Sequence, residues 1–284
     1  EANREQRENW NGASGEAWAR TQEEHDVILE AWARVLAETA AIGGGEHVLD
    51  VGCGCGATTL EAAASCGPAG TAVGVDLSEP MLDVARRRAT AGGVTNVRFV
   101  TGDAQVDDLV AVGGGTPYDV VISRFGVMFF DDPVAAFANL AAATRPGGRL
   151  AMVVWTPMPE QEWLTVPAAA AMEHLGAPEL AAPGAPGMFA LAEPERVAEI
   201  LQAAGWTDVA ADRQQRRFPI GGHGGLDDAV AFLQSSGPGR ALFAEADPDA
   251  AKRAVEAIRE ALEPHVTPTG VELDGAVWAV TARR

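Results

Sequence analysis

The nine residues Val48-Leu49-Asp50-Val51-Gly52-Cys53-Gly54-Cys55-Gly56 constrain this chain more than any other segment. An apolar run interrupted by one acid leads into three alternating glycines, and the helical run Thr58 to Ser65 follows. This reads as a buried strand entering a sharp turn and then a helix. Val48, Leu49 and Val51 suit a strand covered on both faces, as in a parallel sheet. Gly52, Gly54 and Gly56 permit the turn and let a ligand approach the backbone with no Cβ in the way. Such a loop expects a nucleotide-like cofactor. NAD-binding and flavin-binding folds use similar glycines, so the loop alone leaves the cofactor open.

The segments that follow repeat a strand-then-helix rhythm. Thr71 to Asp76 is a second strand ending in an acid, and Ser78-Glu79-Pro80 opens a helix that stops at Gly92-Gly93. Asn96 to Val100 is a third strand, followed by Thr101-Gly102-Asp103-Ala104, and Tyr118 to Ser123 is a fourth. Arg145-Pro146-Gly147-Gly148 turns into the fifth, Arg149 to Trp155. The pattern predicts an α/β fold with a doubly wound, Rossmann-like, seven-stranded and mostly parallel sheet. In such sheets ligands lie beyond the carboxyl ends of the strands, where Asp50, Asp76, Asp103 and Ser123 all fall. An acid at a strand end also serves to cap a helix or set a turn. Three of them in this order behind a glycine loop argue for a site.

With VLDVGCGCG (48–56), VGVDLS (73–78), GDA (102–104) and RPGG (145–148), the chain resembles the class I S-adenosylmethionine-dependent methyltransferases over roughly residues 45–155. The resemblance implies that Gly52, Gly54 and Gly56 lie under the methionine part of the cofactor, S-adenosyl-L-methionine, whose product is S-adenosyl-L-homocysteine. It implies that Asp50 positions the cofactor's amino group, directly or through water. Asp76 is implied to accept the ribose hydroxyls, Leu77 to pack on the adenine, and Asp103, beside Ala104, to take the adenine amino group. Carboxylates suit a cofactor that carries hydroxyl and amino donors and no phosphate. An NAD-dependent oxidoreductase competes, because Gly52-x-Gly54-x-x-Ala57 nearly meets its fingerprint. Asp50 before the loop, Asp103 on the third strand and the Pro146-Gly147-Gly148 turn favour the methyltransferase. A non-catalytic cofactor-binding sensor or partner subunit is the alternative from another class.

The formal net charge of −19 opposes phosphate backbones, which argues against nucleic acid and anionic membrane as partners. No run approaches the roughly 20 apolar residues that span a bilayer, and no basic, apolar leader is visible, so a cytoplasmic protein is expected. The three cysteines, Cys53, Cys55 and Cys66, suggest neither a disulfide framework nor a zinc pair, and no metal site is expected.

The flanks divide the chain into N-terminal lid helices (1–42), the cofactor-binding core (43–155), a helical cap inserted after the fifth strand (156–192) and the remainder of the core with extra helices (193–284). Trp10, Ala13, Ala17 and Trp18 suggest one helix; Val27, Ile28, Ala31, Trp32, Val35 and Leu36 form the apolar stripe of another. Trp10, Trp18 and His25 are candidates for the roof of the site. Helices are expected at Glu162–Leu175, Glu193–Ala204, Leu226–Gln234 and Pro248–Leu262, and strands at Asp208–Ile220 and Ala276–Thr281, the latter antiparallel if the resemblance holds. Gly221 to Gly225 reads as a flexible joint. Phe125, Met128, Phe129, Trp155, Met158, Trp163, Met172, Met188 and Phe189 are candidate walls of an acceptor pocket. Among the five histidines, His25, His174 and His223 are candidate bases, and Arg124 is placed to meet the cofactor carboxylate or the acceptor. The expected activity is methyl transfer to an apolar or aromatic small molecule, in secondary metabolism.

Overall fold

A computed structural model of the chain describes residues 2–177, 182 and 184–284. Three helices come first: α1 (Arg4–Asn11), α2 (Ala13–Arg20) and α3 (Gln22–Ala40). The single helix expected around Trp10 and Trp18 is two, broken at Gly12, because the α1–α2 corner is too tight to run straight. A Cβ on Gly15 would lie 1.9 Å from the Trp10 carbonyl oxygen. Helix α3 buries Ile28, Trp32, Val35 and Leu36 at helical spacing, and lies against the sheet.

The Rossmann-like core then alternates as the sequence predicts: β1 (His47–Val51), α4 (Ala57–Cys66), β2 (Thr71–Asp76), α5 (Glu79–Ala91), β3 (Val97–Thr101), α6 (Leu109–Gly113), β4 (Tyr118–Arg124), α7 (Pro133–Ala143) and β5 (Thr144–Trp155). After it come α8 (Glu162–Leu175), α9 (Pro194–Ala203), β6 (Thr207–Ile220), α10 (Leu226–Ser235), α11 (Gly237–Phe243), α12 (Pro248–Leu262), β7 (Val266–Thr267) and β8 (Gly270–Arg283). The sheet order is β3-β2-β1-β4-β5-β8-β6, with the two-residue β7 added as a hairpin partner of β8. The first five strands are parallel; β8 runs antiparallel between β5 and β6. Strand order reverses between β1 and β4, so the crevice at their carboxyl ends is the switch point where such sheets bind ligands.

Strands β1, β4 and β5 are buried on both faces, which explains their unbroken runs of Val, Leu and Ile. Behind the sheet, Trp32, Trp155, Trp163 and Phe218 form one aromatic cluster with ring centroids 5.3–6.5 Å apart. Helix α8 packs on α12 and β8. The Gly221-Gly222 turn is no loose joint. A Cβ on Gly221 would sit 2.6 Å from the Ala229 backbone, so the turn is seated on α10.

Candidate functional site

The glycine loop crosses the switch point under tight constraint. Gly52 and Gly126 touch: a Cβ on Gly52 would lie 2.6 Å from the Gly126 Cα. Gly56 serves packing, since its Cβ would meet Ala85 and Phe99 at 2.8 Å. Gly54 differs. Its nearest neighbour beyond the chain would be Met81 Sδ at 3.8 Å, and with φ +52° it turns an open backbone face to a cavity. That cavity is open at its mouth and lies between the loop, the ends of the neighbouring strands and the first three helices.

The acids stand around this loop in three different states. Asp76 closes β2: its Oδ2 accepts the Gly54 N–H at 2.8 Å and its Oδ1 the Ser78 N–H at 2.9 Å. Asp76 also lines the cavity, and a carboxylate oxygen that accepts one N–H can accept a second donor. Asp50 is fully buried beneath the loop. Its Oδ2 accepts both the Thr58 and Thr59 hydroxyls at 2.6 Å, and its Oδ1 has no partner. Burial raises the carboxyl pKa of both residues. Asp103, 1% exposed, accepts the Asn3 side-chain amide at 2.8 Å and the Gln105 N–H at 3.0 Å through Oδ1. Its Oδ2 is buried without a hydrogen bond, 3.6 Å from the Arg7 guanidinium.

The roof comes from the N-terminal helices. Trp18 and His25 stack with ring centroids 3.8 Å apart, Trp10 meets Phe129 edge-on at 5.7 Å, and all four line the cavity. His25 Nδ1 lies 2.9 Å from the Thr21 carbonyl and 3.1 Å from the Thr21 hydroxyl; with its proton on Nδ1 the ring donates to the carbonyl and leaves the lone pair on Nε2. Burial is the main cause that lowers the His25 pKa below 6.5, with the Arg124 charge acting the same way. Arg124 is itself pushed down by burial, and its guanidinium makes one long bond, 3.4 Å to the Leu29 carbonyl. Burial drives the Cys55 thiol up to about 12 and also raises Cys53 well above the ordinary thiol value, so neither is a nucleophile near neutral pH.

Of the residues singled out from the sequence, Trp10, Trp18, His25, Gly52, Gly54, Asp76, Leu77, Asp103, Ala104, Arg124, Phe125 and Phe129 line this cavity. Asp50 and Gly56 support the loop from behind it. Ser123 donates to the Val51 carbonyl at 2.8 Å and ties β4 to β1 instead of facing a ligand. The structure does not bring the expected cap residues to the cavity. Trp155 and Trp163 are buried in the aromatic cluster, Met128 is buried, and Met158, Met188 and Phe189 are half-buried elsewhere. Met172 is on the exposed side of α8. His174 lies on α8, and His223 is exposed in the β6–α10 turn, 3.3 Å from the Thr269 carbonyl; neither lines the cavity. Part of the proline-rich stretch 177–188 falls outside the described residues. The sequence reading missed Asn3, Gln6, Asp26 and Leu29 as lining residues. None belongs to a motif, and only Leu29 adjoins the apolar stripe of α3.

Over residues 48–148 the chain matches a family described as a methyltransferase domain. It is 35% identical over 173 residues to nocamycin O-methyltransferase of Saccharothrix syringae, covering 58% of this chain and 60% of that one. Over 107 residues it is 36% identical to aklanonic acid methyltransferase DauC of Streptomyces sp. (strain C5), covering 38% and 47%. The chain therefore spans about half to three-fifths of the length of these curated relatives. Phosphoethanolamine N-methyltransferase 2 of Haemonchus contortus, solved with S-adenosyl-L-methionine, shares the fold at a TM-score of 0.56 and 17% identity, covering 98% of this chain and 59% of that one.

S-adenosylmethionine is the cofactor of this family, and the residues present fit it. The loop offers a Cβ-free face at Gly54, Asp76 lines the cavity as an acceptor, and so does Asp103, whose buried Oδ2 lacks a donor. No cation stands in the loop, as suits a cofactor without phosphate. Among the described residues, no group of three His, Cys, Asp or Glu side chains is arranged to hold a metal, and no helix is long and apolar enough to cross a membrane.

Proposed function

We propose that this protein transfers a methyl group from S-adenosylmethionine to an apolar or aromatic small molecule. The observation that carries this reading is the single cavity edge where Gly54, Asp76 and Asp103 meet Trp18, His25, Leu29, Arg124 and Phe125. One side is polar and suits the cofactor; the other is apolar with one base and one cation. The cofactor, when bound, supplies an activated methyl on sulfur; the chain supplies alignment, exclusion of water and proton transfer. Gly54 and Asp76 seat the sugar and the methionine portion. Trp18, Leu29 and Phe125 would hold an apolar acceptor against the cofactor. His25 Nε2, unprotonated at neutral pH, takes the acceptor's proton, and Arg124 holds a carboxylate of the cofactor or the developing anion of the acceptor. The names of the two curated relatives support a natural-product acceptor and a place in secondary metabolism. The charge of −19 supports a small molecule over nucleic acid as the partner.

Calorimetric titration with S-adenosylhomocysteine beside NADH tests the cofactor. Micromolar binding of the first alone is expected. Binding of NADH alone would overturn the assignment. Loss of turnover in His25→Gln, with S-adenosylhomocysteine affinity retained, is the expected mark of the base once an acceptor is in hand.

A further inference from the structure

We propose that Asn3 is an internal stand-in for the cofactor's adenine amino group, and that the segment leading into α1 latches the adenine end of the cavity until the cofactor displaces it. This rests on reading the cavity as an S-adenosylmethionine site. Asn3 is 1% exposed and sits in the left-handed region at φ 51°, a conformation asparagine tolerates better than most residues. Its side chain makes no helix-capping bond. Instead every polar group it has is committed. The side-chain amide donates to Asp103 Oδ1 at 2.8 Å, the side-chain carbonyl accepts the Asp131 N–H at 2.8 Å, and the backbone N–H donates to Asp131 Oδ2 at 2.6 Å. Its own carbonyl accepts the Arg7 N–H at 2.8 Å.

Oδ1 of Asp103 is consequently taken. Asn3 and the Gln105 N–H fill Oδ1, and Oδ2 is buried under Arg7 without a hydrogen bond. The Arg7 Nε is likewise buried without an acceptor, so the latch leaves two polar atoms unsatisfied at the same place. An NH₂ group on a flat carbonyl-type carbon is what Asn3 presents to Asp103, and an adenine presents the same group in the same plane. The other end of α1 is held independently: Asn11 donates to the Leu77 carbonyl at 2.8 Å and accepts the Glu79 N–H at 3.1 Å, and the Ser78 hydroxyl donates to the Trp10 carbonyl at 2.6 Å. Helix α1 is thus pinned at its carboxyl end independently of the contacts at Asn3.

A latch of this kind lowers apparent affinity by the fraction of molecules that are open. Stopped-flow binding of S-adenosylhomocysteine, read by the fluorescence of Trp10 and Trp18 at the cavity wall, tests it on the full chain. Asn3→Ala, which removes the stand-in, and Asp131→Ala, which removes the carboxylate that accepts the Asn3 backbone N–H, are both expected to associate faster and to bind tighter than the unaltered protein. About tenfold is the scale of one hydrogen bond to a charged group. The observed rate in the unaltered protein should level off with ligand concentration, because opening limits it. Weaker or unchanged binding in both variants would overturn the latch and make Asn3 a packing residue or a part of the cofactor site. Absence of binding in the unaltered protein and both variants alike would instead bring down the cofactor reading on which the latch depends.

Discussion

Replacing Gly54 and Gly56 one at a time by alanine separates ligand approach from packing within a single loop. Both glycines have positive φ, +52° and +83°, so each alanine meets a left-handed backbone that costs an L-residue about 1–2 kcal/mol. For Gly54→Ala that is the whole structural cost, because the new Cβ finds only Met81 Sδ at 3.8 Å, an ordinary contact. For Gly56→Ala the Cβ arrives 2.8 Å from both Ala85 and Phe99, and overpacking adds about 1–3 kcal/mol. At roughly 2–4 °C per kcal/mol, Gly54→Ala should lower the midpoint of thermal unfolding by a few degrees and Gly56→Ala by about twice as much. Binding should run the other way. The Gly54→Ala methyl enters the cavity where the cofactor must touch the backbone, and S-adenosylhomocysteine affinity should drop at least about tenfold, roughly 1.4 kcal/mol. Gly56→Ala, measured well below its unfolding transition, should bind nearly as the parent does. Scanning calorimetry and titration calorimetry on the two variants give both readings. Unaltered affinity in Gly54→Ala would refute the placement of the cofactor against the loop. Equal destabilisation by the two variants would refute the packing role given to Gly56.

Asp76→Ala removes an acceptor for two backbone N–H groups and, in the proposed reading, for the ribose, and should weaken S-adenosylhomocysteine binding by about 1.5–3 kcal/mol in calorimetric titration. His25 has a pKa below 6.5, so as a base it stays competent under mildly acidic conditions: turnover should hold at pH 6.5 and fall below it, and His25→Gln should abolish that limb of the profile. The same lowered pKa means that the unfolded chain binds the proton more readily; the histidine's share of stability is lost as pH falls through 6.5, which thermal melts against pH will register. Trp163→Ala should cost about 3–5 kcal/mol in urea unfolding without altering cofactor affinity, because the ring is core and not pocket wall. His174→Ala and His223→Ala should leave turnover unchanged in a steady-state assay.

The sheet was legible because its signals are local. A two-sided buried strand needs an apolar run, and its exit toward a ligand needs glycines and acids, so β1, β2 and the acids at the strand ends stood out within windows of a few residues. The antiparallel β8 and the long β6 were also placed, although β8 begins at Gly270, ahead of the apolar run at Ala276. The walls of the cavity were harder to see. Trp155 and Trp163 have the size and polarity of pocket residues, but what decides between core and wall is the packing of α8 and β8, set by contacts far apart in the chain. Asn3 carries no periodic signal, and its importance comes from two acids about 100 and 128 residues away. Helices α6, α7 and α11 escaped notice as well. Short and rich in alanine or glycine, they give a weak apolar stripe.

The residues that wall the cavity run from Asn3 to Phe130, so the described second half of the chain supplies none of them. In order of synthesis, every group that meets the ligand leaves the ribosome before β5, and the strands that arrive last, β6 and β8, extend the sheet on the side away from the glycine loop. The later half is a buttress. Changes there alter how firmly the sheet is held and reach the cavity wall through the residues packed behind it, Trp155 on Phe125 and Phe232 on His25.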